Sequence, residues 1–154
     1  MVSYLQIEKL TKSFGDRILF ADATLGVYQG DKIGLIAANG AGKTTFLNII
    51  SGSEDYDSGN VVFRNDLRVG YLPQLPPYDP EMTALEYATP EPLRSDDFNC
   101  ADRARQMLYQ FRITDVEQKM GTMSGGQAKR VALAKTLLSE PDLLILDEPA
   151  NHLD

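Results

Sequence analysis

The chain has 154 residues, 43% hydrophobic and 24% charged, with a formal net charge of −7. That length suits one domain with a real core, and that composition excludes a disordered or collagen-like chain. An acidic balance is poorly suited to non-specific binding of a phosphate backbone, so direct DNA binding is not expected, while a single-nucleotide site stays open. One histidine excludes a multi-His metal site within the chain, and the single cysteine, Cys100, excludes an internal disulfide and fits a reducing cytoplasm. No apolar run approaches the roughly 20 residues of a membrane helix. The opening MVSYLQIEKL lacks the basic and apolar regions of a secretory signal. A cytoplasmic location is the expectation.

In chain order, residues 3–10 alternate loosely and predict a strand, and residues 17–29 are β-rich up to a turn at Gln29-Gly30-Asp31. KIGLIA, residues 32–37, is a short apolar run of the kind that forms a strand covered on both faces. A Gly-rich loop follows. Residues 45–51 then carry Phe46, Leu47, Ile49 and Ile50 at helical spacing, and Gly52 stops that helix. Asp55 to Gly59 is turn chemistry, with strands expected near residues 61–63 and 68–72. Residues 73–99 are rich in proline and acid and predict a connecting loop with one helical turn near 84–88. Residues 101–112 are amphipathic, with Ala104, Leu108 and Phe111 near one face. A stronger helix runs from Ser124 to Ser139, its interior offering Val131, Leu133, Ala134, Leu137 and Leu138 for packing. Residues 143–146 form an apolar strand closed by Asp147 and Glu148. Strand, loop, helix and a later buried strand ending in acids is an α/β pattern with a parallel sheet.

Three constellations carry chemistry. Residues 37–44, AANGAGKT, match the phosphate-binding P-loop GxxxxGK[ST] except that Ala37 stands for the first glycine, a change tolerable at negative φ. Gly40 and Gly42 allow several backbone N–H groups to point into one concavity, and the helix that follows adds its positive end. Lys43 can reach the β- and γ-phosphates, and the Thr44 hydroxyl suits Mg²⁺. The bland alternative is a Gly-rich turn between a strand and a helix. The second constellation, LLILDE at residues 143–148, brings two carboxylates to a sheet edge. Asp147 is placed to hold Mg²⁺ and Glu148 to polarise an attacking water; alone, the pattern also describes a strand end with solvated acids. The third, Met123-Ser124-Gly125-Gly126-Gln127, opens the strong helix. Ser124 reads as its N-cap, and the N–H groups after it form a second anion site.

SGGQ followed by a helix resembles the signature of ABC-superfamily ATPases, and the resemblance runs along nearly the whole chain. It implies a P-loop NTPase core with a parallel sheet, an N-terminal antiparallel β part and a small helical subdomain. The corresponding division is 1–72 for the β part, P-loop and first core helix, 73–123 for the Q-loop and helical subdomain, and 124–154 for the signature helix, Walker B strand and D-loop. The fold is expected to be incomplete at the C-terminus, because the family's domain continues beyond the D-loop to a switch histidine. The ligands implied are ATP and Mg²⁺. Asn39, Gly40, Ala41, Gly42, Lys43, Thr44 and Thr45 would cradle the phosphates, and Phe14 would stack on adenine or else pack in the core. Thr44, Gln74 of the VGYLPQ segment and Asp147 would serve the metal, with Gln74 and Glu148 at the attacking water. Ser124, Gly125, Gly126 and Gln127 would bind the γ-phosphate of ATP held by a second ABC domain, and Asp154 closes the D-loop.

Pro149-Ala150-Asn151-His152-Leu153-Asp154 resembles the D-loop of the ABC-F branch, EPTNHLD, with Ala150 departing at the threonine. Transporter subunits more often carry serine-alanine at Asn151-His152. The resemblance therefore favours a soluble, ribosome-linked ATPase, although the interval between Gln74 and Ser124 leaves little room for the helical arm that ABC-F proteins often carry. The alternatives are the ATPase subunit of a membrane permease, and an interaction module whose P-loop is structural. Cys100 has no apparent reactive role.

Overall fold

The structure is a computed structural model that describes residues 2–38, 40–89 and 99–149. The chain divides into two compact units, Met1–Val69 and Gly70–Asp154.

The first unit is built on an antiparallel sheet. β1 (Ser3–Phe14) turns through Gly15-Asp16 into β2 (Arg17–Tyr28), with Phe14 paired to Arg17 at the tip. Glycine first in a two-residue loop is the type II′ pattern, whose twist suits a hairpin; Gly15 has φ +57°. β3 (Ser58–Phe63) pairs with the other edge of β1, giving the order β2-β1-β3. Leu5, Ile7 and Leu10 of β1 are almost wholly buried, as are Ile49 and Ile50 of α1 (Lys43–Ile50). Phe46 of α1 meets Phe20 of β2 edge to face at 5.4 Å. The turn expected at 29–31 is present: the Asp31 N–H donates to the Tyr28 carbonyl, and the Tyr28 N–H donates to the Asp31 carboxylate.

One expected strand is absent. Residues 32–38 form no strand and are exposed, Ile36 at 94% and Ile33 at 52%. Apolar sequence makes a strand only where a neighbour accepts its N–H and C=O groups. Both edges of β1 are taken by β2 and β3, and among the described residues no other strand pairs with this segment.

In the second unit β4 (Val69–Leu72) and β5 (Leu143–Leu146) form a two-stranded sheet, continued by the Asp147 N–H donating to the Leu72 carbonyl at 3.0 Å. Between them come α2 (Ala84–Ala88), α3 (Cys100–Gln110), a 3-10 turn at Met120–Thr122 and α4 (Gly125–Leu138). Ala84, Leu108, Met120, Val131 and Ala134 meet in one core with no exposed surface. The helical turn expected at 84–88 is α2. Its Thr83 side chain accepts from the Glu86 N–H while the Glu86 carboxylate accepts from the Thr83 N–H. That reciprocal cap offsets the marginal length of a five-residue helix. On α3, Ala104 and Leu108 are fully buried and Phe111 packs against the same core, as the amphipathic spacing implied. Cys100 is buried and free. No helix among the described residues is long and apolar enough to cross a membrane.

Candidate functional site

The Gly-rich loop of the first unit has the backbone its sequence required. Gly40 and Gly42 sit at φ +76° and +93°, a region that costs most side chains steric strain. Ala37 is not among the residues at positive φ, so alanine replaces the motif's first glycine without strain. A Cβ at Gly42 would also press on the Leu19 side chain at 3.3 Å. α1 begins at Lys43 with Gly42 as N-cap, no capping side chain and no acid in its first turn. Its first N–H groups and positive dipole end therefore stay available to an anion. The Lys43 ammonium donates to the Ala37 carbonyl at 2.5 Å, and the Arg17 guanidinium donates to the Gly40 carbonyl at 2.8 Å. Arg17 thus braces the loop from the hairpin, a role the sequence did not signal because a lone arginine in a strand reads as a solvated residue. Asn39 lies outside the described residues.

Phe14, at the hairpin tip of β1, is 53% exposed, so the core-packing alternative does not hold. The Lys12 ammonium lies 4.8 Å from its ring centroid and also donates to the Asp55 carbonyl at 2.7 Å. The aromatic ring is buttressed by a cation and remains accessible.

In the second unit the two acids closing β5 have different environments. Asp147 is 2% exposed, and its Oδ2 has no hydrogen-bond partner. Glu148 lies at φ +45°, and its carboxylate accepts from the Gln74 amide at 3.1 Å. The Glu148 carbonyl accepts from the ammonium of Lys129, a residue 3% exposed on α4. Burial, followed by the negative charge of Asp147, pushes the Tyr71 hydroxyl above its ordinary pKa.

An orphaned buried carboxylate oxygen is costly unless a cation or a donor meets it. Within the second unit, the carboxylate oxygens of Asp147 and the amide oxygen of Gln74 are hard donors that suit Mg²⁺. Among the described residues no three His, Cys, Asp or Glu side chains gather as a metal cluster. These residues fit a cation held partly by the protein and partly by a phosphate ligand, as Mg²⁺ usually is.

Ser124 caps α4 as its sequence implied. Its hydroxyl accepts from the Gln127 N–H at 3.2 Å, and the Gln127 side chain accepts from the Ser124 N–H at 2.9 Å. The reciprocal pair follows the S-x-x-Q spacing. Gly125 has open space where a Cβ would stand. The D-loop segment, Ala150, Asn151, His152, Leu153 and Asp154, lies outside the described residues. Lys129 went unnoticed in the sequence because a lysine in a helix ordinarily faces water; its bracketing by buried Ala128, Val131 and Ala132 is the one signal.

The family model described as ABC transporter matches residues 20–151. The chain is 33% identical to an uncharacterized ABC transporter ATP-binding protein of Bacillus subtilis, YfmR, covering 99% of this chain and 30% of that protein. It is 35% identical to the energy-dependent translational throttle protein EttA of Haemophilus influenzae, covering 97% of this chain and 28% of the relative. It is also 35% identical to the ribosome protection protein VmlR of Bacillus subtilis, covering 98% and 27%. The chain thus spans about a third of the length of the curated relatives it matches. Among solved structures, the ATP-binding subunit of an ABC transporter superposes with a TM-score of 0.85 at 25% identity, covering 98% of this chain and 68% of that one. A dimeric ATP-binding cassette in a post-hydrolysis state with ADP and Pi gives 0.83 at 26% identity, covering 97% and 76%.

Proposed function

This chain belongs to the ABC transporter superfamily as one of its ATPase domains, and on that premise we propose that it binds Mg-ATP and, paired with a second ABC domain, hydrolyses it to drive a conformational change on the ribosome. The observation that carries the hydrolytic part is the meeting of Gln74 with Glu148 beside the buried, orphaned carboxylate of Asp147. An amide and two carboxylates at the ends of neighbouring strands are the groups phosphoryl transfer asks for: a metal ligand and a holder of the attacking water.

The roles divide by residue. Gly40, Ala41, Gly42, Thr44 and Thr45 present N–H groups to the phosphates, and Asn39 is assigned to the same cradle by sequence resemblance. Lys43 exchanges the Ala37 carbonyl for the β- and γ-phosphate oxygens, a stronger acceptor for an ammonium. Thr44, Asp147 and Gln74 would hold Mg²⁺, which when bound neutralises charge on the transferring phosphoryl group. Glu148 accepts a hydrogen bond from the attacking water and orients it in line. Phe14 offers its open face to the adenine ring. Ser124, Gly125, Gly126 and Gln127 serve the γ-phosphate held by the second domain, and Asp154 of the D-loop is counted with them by sequence resemblance alone. A single copy lacks that contact and turns over slowly, since each missing preorganised donor typically costs 10²–10³-fold in rate.

The translation-linked reading rests on the relatives, which include the ABC-F proteins EttA and VmlR. The likeness to transporter subunits keeps a membrane permease as the alternative partner. The test is co-sedimentation of the paired Glu148→Gln protein with purified ribosomes in Mg-ATP. ATP-dependent co-sedimentation, lost on Lys43→Ala, is the expected result. Absence of ribosome binding, with ATP turnover that rises on adding a copurified permease, contradicts it and establishes the transporter reading.

A further inference from the structure

We propose that Lys129 is a positioning residue for the water-orienting carboxylate, tying the signature helix to the backbone of Glu148. The inference rests on the reading of Glu148 given above.

Glu148 is held in a left-handed conformation, φ +45°, that non-glycine residues occupy only where their surroundings over-determine it. Among its contacts are two at opposite ends of the residue. The Gln74 amide donates to its carboxylate at 3.1 Å, and the Lys129 ammonium donates to its carbonyl at 2.6 Å. Lys129 is 3% exposed, so its charge has been taken out of water. A buried ammonium is expensive, and a well-packed apolar side chain in its place would avoid that cost. Here that ammonium makes a charge-assisted bond to the Glu148 carbonyl, which fixes the peptide plane after the Glu148 Cα and so restrains the backbone that carries its side chain.

The connection has a direction. Lys129 lies on α4 two residues beyond Gln127, which closes the capping box with Ser124. A shift of α4 when Ser124 and the two glycines engage an anion moves the Lys129 donor and, through the carbonyl, Glu148. The second domain's arrival at the signature end of α4 is thereby felt at this chain's own carboxylate, through one side chain and one hydrogen bond.

The experiment has two readouts, on wild type, Lys129→Met and Lys129→Arg. The first needs no nucleotide: in the 154-residue chain, a strong intraresidue HN–Hα cross-peak at Glu148 reports its positive φ. Lys129→Met is expected to weaken it and Lys129→Arg to keep it, with the α4 amide signals retained in both and shifted only near position 129. The second is steady-state turnover by the chain paired with a second ABC domain. Lys129→Met is expected to lower kcat about 10- to 100-fold, the scale of a misplaced catalytic group, with KM for ATP within about threefold. Lys129→Arg should recover most of kcat. A Glu148 cross-peak unchanged in Lys129→Met overturns the proposal whatever the turnover, and so does a loss of kcat accompanied by general loss of α4 signals that arginine does not rescue. A wild type that neither binds nor hydrolyses ATP overturns the functional reading instead, while the cross-peak still decides whether Lys129 holds Glu148.

Discussion

The Gln74 side-chain amide donates to the Glu148 carboxylate at 3.1 Å, across 74 positions of sequence. The pairing of β4 with β5 creates this contact, because each residue lies two positions beyond the end of its strand. Gln74→Ala removes the amide that donates to the Glu148 carboxylate. In the paired protein kcat should fall about 10- to 100-fold, with ATP affinity within about threefold of wild type. Equal losses in affinity and kcat would show that Gln74 acts in binding instead. Stopped-flow binding with a fluorescent nucleotide, beside steady-state phosphate release, separates the two.

Lys43 now spends its charge on the Ala37 carbonyl. Lys43→Ala deletes a charge-assisted contact to phosphate worth about 1.5–3 kcal/mol, so Mg-ATP affinity should drop at least about tenfold. Isothermal titration calorimetry of wild type and variant measures it. An unchanged Kd would mean that the loop does not hold the phosphates.

The Asp57 carboxylate accepts from the Ser13 hydroxyl at 2.5 Å and from the Ser13 N–H at 2.7 Å. These bonds, the hydroxyl first, hold its pKa below the ordinary carboxylate value, with Lys12 adding a smaller pull. A depressed folded-state pKa contributes stability that is present above the unfolded value and lost as pH falls through the folded one. Ser13→Ala should therefore raise the Asp57 pKa toward the ordinary value. Carboxyl-carbon NMR titration reads the shift directly; an Asp57 titration identical in both proteins contradicts the assignment.

Gly59, inside β3, has φ +103°, and a Cβ there would stand 2.5 Å from the Lys9 carbonyl oxygen and 2.7 Å from that of Glu8. Both obstacles are backbone of β1, so neither can rotate away. Gly59→Ala should destabilise the first unit by about 2–4 kcal/mol, combining strain at positive φ with overpacking. Urea denaturation followed by far-UV circular dichroism tests this, and a loss under about 0.5 kcal/mol would contradict it.

Local chemistry explains which parts of the fold could be read in advance. α4 announces itself through a capping serine and apolar residues at helical spacing, and β5 through four apolar residues closed by acids; both lie where expected. Residues 32–38 show the limit. They carry Ile33, Leu35 and Ile36, yet a strand is a property of two segments, and the partner is not encoded in the segment itself. The site divides in the same way. Gly40, Gly42 and Lys43 are legible because the phosphate loop is contiguous and glycine is demanded by positive φ. Asp147, Glu148 and Gln74 are legible as residue types, whereas the hydrogen bond between the last two arises from strand pairing. Lys129 and Arg17 act on backbone carbonyls, and no residue type advertises a carbonyl in need of a donor.

Glu148→Gln separates binding from hydrolysis most directly. The substitution keeps the side-chain shape and removes the charge to which the proposal assigns the attacking water. The measurement is the nucleotide content of the paired protein, isolated by rapid gel filtration after incubation with Mg-ATP and analysed by chromatography. The variant should retain uncleaved ATP at close to one per site, while wild type retains chiefly ADP or no nucleotide. Equal ADP content in wild type and variant would contradict the assignment of Glu148 to the attacking water and, with it, the placing of hydrolysis at the end of β5.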